Sequence, residues 1–237
     1  MTSAHDQEEK SAGSDDQRAI LERFCELSSL GTDAVLMLTN IYKEMPITHP
    51  ASICEVKGHH LALYTSELQL AAICQCKEVF IRSPHFELPV LGRLDSIDVR
   101  RGVVLLSDFS YGTLRQEDRK TVRVRFKKPL NVMMHSGSDR IPGIIHDISL
   151  GGCCLNTLIC KGLRESDQIE LELKLLDQGS GELCCTRIPS EVIQIRGEIS
   201  PFKCILCFRH TQQSEQFLSV FINQRQLEIL KELREAL

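Results

Sequence analysis

Two stretches of this chain, Arg119-Lys120-Thr121-Val122-Arg123 and Asp147-Ile148-Ser149-Leu150-Gly151-Gly152, indicate what its second half folds into and binds. About one β-hairpin separates them. The first supplies two arginines, which bind phosphate through paired hydrogen bonds and also match the O6 and N7 acceptors of guanine. The second supplies a carboxylate and a hydroxyl that can hydrogen-bond a purine, and glycines that let a flat base approach the backbone. Together they predict a site for a ligand that is both anionic and guanine-like.

Each motif has an ordinary alternative when it is taken alone. Two arginines four residues apart also occur at Arg115 and Arg119, and such residues are often only solvated charges. Asp, Ser and Gly are all common in β-turns. The position of the arginines favours a site, because a polar segment there enters an alternating stretch that predicts a strand.

The surrounding pattern is one of short strands. Such runs separated by glycines are typical of a barrel or sandwich. In the second half we predict strands at 122–127, 130–135, 143–148, 154–158, 169–176, 191–195 and 204–209. In the first half we predict them at 34–40, 52–56, 61–64, 78–83, 90–99 and 102–108, with 66–76 either a helix or a loop.

Helical periodicity appears near both ends. Ser14 and Gln17 form a capping box ahead of a helix predicted over about 16–30, and residues 213–237 carry a second apolar stripe. The second half of that last helix could pair with another subunit or partner. We therefore divide the chain into a disordered acidic tail (1–16), a helix with a small β domain (17–108), a polar linker (109–118) and a second β domain with a C-terminal helix (119–237).

Composition, net charge and the distribution of apolar residues argue against some classes of function. Of the 237 residues, 42% are hydrophobic and 25% are charged, as in ordinary globular proteins. The net charge of −4 argues against non-specific nucleic-acid binding, which favours a basic face. The sequence has no run that predicts a membrane span or a secretory signal. We expect a cytoplasmic protein with no nucleic-acid partner and no membrane insertion.

Neither a metal site nor an enzyme is predicted. The eleven cysteines do not match a familiar zinc spacing, and we interpret them as buried, reduced thiols that act as small apolar residues. His146, Asp147 and Ser149 have the residue types of a hydrolase triad. On a strand, however, His146 would point away from the other two, and no nucleophile-elbow motif is present.

The order of the motifs, RxxxR and then DxSxxG, resembles the PilZ domain, the bacterial receptor module for cyclic di-GMP. The likeness runs from about Asp118 to the C-terminus, and the β domain before it is similar to that of flagellar-brake-like proteins. The resemblance implies a mainly β fold with two small β-barrel domains, the C-terminal one a PilZ-like six-stranded barrel, and with a helix at each end. Cys204 stands where the family often has Gly, which concerns barrel packing more than ligand binding.

The resemblance also implies residue roles. Arg119 and Arg123 would grip guanine and phosphate, while Asp147, Ser149 and Gly152 would hold a base edge.

Three further residues complete the implied site. Gly151 would shape the turn, Lys120 would neutralise phosphate, and Arg115 would reach a second nucleotide if the ligand binds as an intercalated dimer. The implied protein is a receptor and effector, monomeric or homodimeric, whose interdomain arrangement changes on binding to regulate a protein partner in motility, pilus or biofilm-related processes. Two alternatives stay open: a PilZ-fold interaction protein that binds no nucleotide, and a receptor for another cyclic dinucleotide.

Overall fold

The computed structural model describes residues 4–29, 36–114, 121–160, 162–176, 181 and 183–237, with side chains from Asp16 onward except that of Leu176. Within those residues the chain forms two closed six-stranded β-barrels and three helices, which confirms the predicted fold class. The elements in chain order are α1 (Ala4–Ser29), β1 (Leu36–Tyr42), β2 (Met45–Lys57), β3 (His60–Thr65), α2 (Glu67–Cys76), β4 (Glu78–Arg82), β5 (Val90–Asp98), β6 (Val103–Tyr111), β7 (Arg123–Ser136), β8 (Asp139–Ser149), β9 (Gly152–Thr157), β10 (Gln168–Leu176), β11 (Leu183–Arg196), β12 (Phe202–Phe208) and α3 (Gln212–Glu235).

The chain divides into two compact units, the first comprising Met1–Tyr42, Pro46–Asp118 and Leu230–Leu237. Its barrel has the strand order β1-β2-β3-β6-β5-β4 and closes where β4 pairs with β1. Alternate side chains of each strand point inward, and they form a core with α1. Phe24 of that helix is fully buried, with its ring centroid 5.0 Å from Phe86 and 5.7 Å from Phe109. Aromatic contacts of this kind hold α1 against the barrel.

Three details of this unit differ from the sequence pattern or complete it. Helix α1 already begins at Ala4, inside the stretch predicted to be disordered, so Ser14 and Gln17 lie within the helix and do not cap its start. Strand β6 continues to Tyr111 with Phe109 in the core, so it extends into the predicted linker. The stretch left as helix or loop is helix α2, in which the Ser66 hydroxyl accepts a hydrogen bond from the Gln69 amide as an N-cap.

The second unit comprises Lys43–Met45 and Arg119–Ile229. Its barrel has the strand order β10-β11-β12-β9-β8-β7 and closes where β7 pairs with β10. Strand β12 shows the alternation clearly: Cys204, Leu206 and Phe208 are buried, whereas Lys203 and Ile205 face outward. Helix α3 begins after Thr211, whose hydroxyl accepts a hydrogen bond from the amide of Ser214, and it packs onto this barrel through Leu218 and Ile222, both buried.

The two strands predicted on either side of Pro129 are one strand, β7. Its register with β8 jumps from Arg125 opposite Asp147 to Leu130 opposite Ile145, so the residues between form a bulge. Pro129 has no N–H to donate, and a bulge tolerates that loss. The sequence pattern shows a break here because proline usually ends a strand.

None of the helices in the described part of the chain combines the length and apolar character that a membrane span requires.

Candidate functional site

Arg123 lies where the chain enters the second barrel. It is the first residue of β7 and pairs in register with Ser149, the last residue of β8. The next residue, Val124, is fully buried, so strand alternation directs Arg123 to the outer surface. There its side chain is 27% exposed. One antiparallel ladder thus brings the two predicted motifs together.

A β-bulge positions Asp147. In the ladder between β8 and β9, Ile145 faces Leu155 and Ile148 faces Cys153, which leaves one extra residue on β8. Both isoleucines are fully buried. Bulges re-aim side chains and are common beside functional sites. Here the carboxylate of Asp147 lies 3.1 Å from the guanidinium of Arg123 and is 17% exposed.

The contact between Arg123 and Asp147 leaves hydrogen-bonding capacity unused. Nη1 and Oδ1 are within ion-pair distance, but Oδ1 accepts no well-aligned hydrogen bond from the residues that the structure describes. Nε of Arg123 is likewise buried without an acceptor among them. A buried polar atom left unpaired costs on the order of 1–3 kcal/mol. A ligand that offers an acceptor to Nε and a donor to Oδ1 would recover that free energy.

In the turn after β8, Ser149 makes a hydrogen bond within the turn, whereas Gly151 leaves space at the surface. Ser149 is buried, and its hydroxyl donates a hydrogen bond to the carbonyl oxygen of Gly152 at 3.1 Å. Gly151 is exposed. A Cβ added at Gly151 would lie 3.3 Å from Oγ1 of Thr121 and 3.9 Å from Oγ of Ser149. The missing side chain of Gly151 therefore leaves a space bordered by two hydroxyls.

Gly152 is required by the barrel itself. Its φ of +154° is rare for residues with a side chain, and a Cβ added there would overlap the carbonyl oxygen of Leu206 on β12. Strand β12 also contacts the turn from the other side, because the amide of Phe208 donates to the carbonyl oxygen of Gly151 at 3.1 Å. The implied role of Gly152 in holding a base stays a prediction, and its close approach to β12 has a structural reason that is independent of any ligand.

Beside Asp147, outward-facing side chains of β9 and β12 form a patch of the outer barrel surface, here called the floor. Half-buried Cys154 and Asn156 on β9 face outward. Across the ladder, Cys154 pairs with Ile205 and Asn156 pairs with Lys203. These side chains are small or partly apolar, and a flat ligand could rest on them.

The charged groups around this floor affect the pKa of the Cys154 thiol. Burial raises the pKa of its thiol, and the carboxylate of Asp147 raises that pKa further. Three cations lower it: Lys203, Arg123 and Arg196. All four charged groups are therefore within electrostatic reach of one outward-facing thiol, although they come from different strands.

The structure places only part of the predicted site. Arg115, Arg119 and Lys120 lie outside the described residues. Arg123, Asp147, Ser149, Gly151 and Gly152 come together at one end of the β7-β8-β9 sheet.

Three residues near the site, Thr121, Arg196 and Lys203, have no predicted role from the sequence. Thr121 stands inside the first motif, so its position was a signal. The two cations follow the second motif at a long distance, and only the strand register of the barrel brings them near it.

The eleven cysteines are all free thiols, but the interpretation that they are buried is wrong for most of them: only Cys153 and Cys204 are buried, six are partly exposed and three are exposed. Burial is the main reason that the pKa of Cys204 rises to about 12, and Cys160 next to it adds to the effect. The pKa of Cys153 is also raised, chiefly by burial. Thiols of this kind stay protonated at neutral pH, and the described residues form no cluster suited to a metal ion.

Residues 114–218 match the PilZ domain model. The match covers the second barrel and ends within α3. The second barrel is a PilZ domain, which confirms the resemblance drawn from the motifs. The family is one of receptors rather than enzymes.

No curated protein matches the chain. Solved structures similar to it include YcgR in complex with c-di-GMP from Escherichia coli, with 15% identity, a TM-score of 0.41 and coverage of 93% of this chain and 94% of that one. The inhibitor of motility MotI/DgrA of Bacillus subtilis has 15% identity and a TM-score of 0.40, over 82% of this chain and 97% of that one. The MrkH–c-di-GMP complex of K. pneumonia has 15% identity and a TM-score of 0.39, over 91% and 96%.

Proposed function

We propose that this protein is a cytoplasmic receptor for cyclic di-GMP that acts as an effector on a protein partner. The observation that supports this most strongly is the pair of Arg123 and Asp147 on a PilZ domain, each with a buried polar atom that lacks a hydrogen bond within the described residues. Guanine has O6 and N7 acceptors for an arginine and an N2–H donor for a carboxylate. One base can therefore satisfy both atoms.

The predicted basic residues that precede β7 would add further contacts with the ligand. Arg119 and Lys120 belong to the segment of sequence that joins the last strand of the first barrel to the first strand of the second. A ligand held both by this segment and by Asp147 would favour one arrangement of the two barrels. Binding free energy shifts a conformational equilibrium only through such a difference in affinity. The shift would then alter the surface offered to a partner in motility, pilus or biofilm-related processes.

Calorimetry on the purified full chain with a panel of cyclic dinucleotides tests the ligand. We expect cyclic di-GMP to bind, and Arg123→Ala to weaken binding at least about tenfold, the effect of one lost charged hydrogen bond. Arg140→Ala is the matched control. It removes the same charge from β8, seven residues and about 23 Å along the strand from Asp147, and should bind as wild type.

Each other outcome selects an alternative. Binding of a different cyclic dinucleotide would show a receptor of altered selectivity. No binding by folded wild-type protein to any member of the panel would favour an interaction protein that has kept only the fold. Equal affinity of Arg123→Ala and Arg140→Ala would remove Arg123 from the site.

Amide hydrogen exchange tests the conformational part of the proposal. Exchange of residues 109–123 should slow when cyclic di-GMP saturates the protein, because exchange reports local opening. Binding without any change in these amides would mean that the joining segment does not take part, and the proposed rearrangement would fail although the receptor function stands.

A further inference from the structure

Arg196 and Lys203 hold two positive charges side by side on the outer surface of the PilZ barrel. They are directly opposite each other in the ladder between β11 and β12, and both are exposed. Opposite residues in such a ladder have Cβ atoms about 4.5–5.5 Å apart, and like charges at this separation destabilise the sheet. Cys204, next in the strand, is fully buried, so alternation keeps Lys203 outside.

Neither cation is neutralised by a carboxylate within the described residues. Nε of Arg196 donates to the side-chain oxygen of Gln194 at 2.8 Å, which is a neutral partner. The nearby acid Glu165 accepts a hydrogen bond from the amide of Ile195. Two other exposed arginines do have acidic partners. Arg187 on β11 lies 3.4 Å from Glu170, and Arg209, just after β12, lies 2.6 Å from Glu191. The Arg196–Lys203 pair thus retains a repulsion that its neighbours avoid.

The pair borders the same floor as Arg123. Lys203 faces Asn156 across the ladder with β9, and Cys154 lies two residues before Asn156 on the same outer face. In the barrel, β8 and β9 lie between β7 and β12. Three strand spacings of about 4.8 Å separate the backbones that carry Arg123 and Lys203, roughly 14 Å across the sheet. Arg123 is level with Cys207 on β12, so the four residues from Cys207 to Lys203 add about 13 Å along the strand, and the two backbones lie about 19 Å apart. Both side chains are long enough to reach inward over the floor.

We propose that Arg196 and Lys203 form a second cationic edge of the ligand site and bind phosphate of the cyclic dinucleotide that Arg123 holds from the other edge. This assignment rests on the proposed function. A ligand with two phosphates set apart by nucleosides contacts both edges at once, whereas a mononucleotide contacts only one. The two edges therefore select for a dinucleotide over GMP.

Calorimetry with cyclic di-GMP and with GMP, over a series of salt concentrations, tests the assignment on the full chain. We expect Lys203→Ala and Arg196→Ala each to weaken cyclic di-GMP binding severalfold, and the double variant to weaken it by about tenfold or more. Affinity in the double variant should depend less on salt, because fewer screened charges contact the ligand. Arg140→Ala should match wild type in both respects. Without ligand, the double variant should melt no lower than wild type, since it loses a repulsion.

The failure of this assignment can be told from failure of the proposed function. Wild type that binds cyclic di-GMP, together with a double variant of equal affinity and equal salt dependence, overturns the second edge and leaves the receptor in place. Wild type that binds no cyclic dinucleotide overturns both. A double variant that loses affinity for GMP as much as for cyclic di-GMP overturns the selection argument.

Discussion

Alanine should have different effects at the two neighbouring glycines of the β8–β9 turn. At Gly152 it should lower stability, and at Gly151 it should lower the affinity for ligand. Gly152→Ala places a methyl group where the carbonyl oxygen of Leu206 lies, at a φ of +154°. Gly151→Ala places it in a space bordered by Thr121 and Ser149, at an ordinary backbone conformation. The pair thus separates what the barrel needs from what the ligand needs.

The magnitudes follow from these contacts. A residue in a rarely populated backbone conformation costs on the order of 1–3 kcal/mol, and overpacking adds about 1–3 kcal/mol. Gly152→Ala should therefore destabilise the barrel by about 2–6 kcal/mol and lower its melting temperature by about 8 °C or more. At Gly151 the methyl group meets Oγ1 of Thr121 at 3.3 Å, which a small rotation of that side chain relieves. Restricting the unfolded chain offsets the rest, so its stability should change little.

Thermal denaturation followed by circular dichroism, and calorimetry with cyclic di-GMP, measure the two effects. Gly151→Ala should melt like wild type and bind about tenfold more weakly or worse, because one added carbon in a fitted site has that effect. Gly152→Ala should melt early. The reasoning is refuted if Gly152→Ala is as stable as wild type, or if Gly151→Ala is the variant that loses stability and keeps its affinity.

Two further substitutions test contacts around the barrel. Ser149→Ala removes the buried hydrogen bond to the carbonyl oxygen of Gly152 and should lower stability by about 1 kcal/mol; a loss of affinity beyond this thermal effect would show that the hydroxyl also contacts ligand, and no loss would assign it to the turn alone. Glu172 accepts a hydrogen bond from His135, which is the main reason that its pKa lies below the usual 4.5. A carboxyl with a lowered folded-state pKa stabilises the fold above its unfolded-state pKa and loses that contribution as the pH falls through the folded-state value. Glu172→Gln should therefore show a smaller drop in melting temperature below pH 4.5 than wild type, and identical pH profiles would contradict this.

The fold was predictable where each strand carries its own signal. Alternation in stretches such as β12 shows both the strand and its inward face, because the pattern has a period of two residues. Around Pro129 we predicted two strands where β7 is one, since a proline inside a strand is acceptable only at a bulge or an edge. A bulge depends on the partner strand, and nothing in the local sequence of β7 reports it.

The site was predictable to the extent that it is local. Asp147, Ser149 and Gly151 are close in the chain, and their residue types suggested a turn that meets a ligand. Arg196 and Lys203 reach the same surface through the order of strands in a closed barrel, which a single sequence does not display. The tight contact of Gly152 with Leu206 belongs to the same class, because it depends on which strand lies behind the turn.

The extra residue in β8 changes the outer surface of the barrel and leaves the inward-facing positions as they are. Ile145 and Ile148 both point into the barrel, and two residues, His146 and Asp147, lie between them. Strict alternation would need only one. Hydrophobic burial inside the barrel therefore does not require the second residue. Its effect is on the solvent side, where it sets how far the carboxylate of Asp147 lies from Arg123. In this barrel the number of residues in β8, and not only their types, determines how the outer surface is arranged.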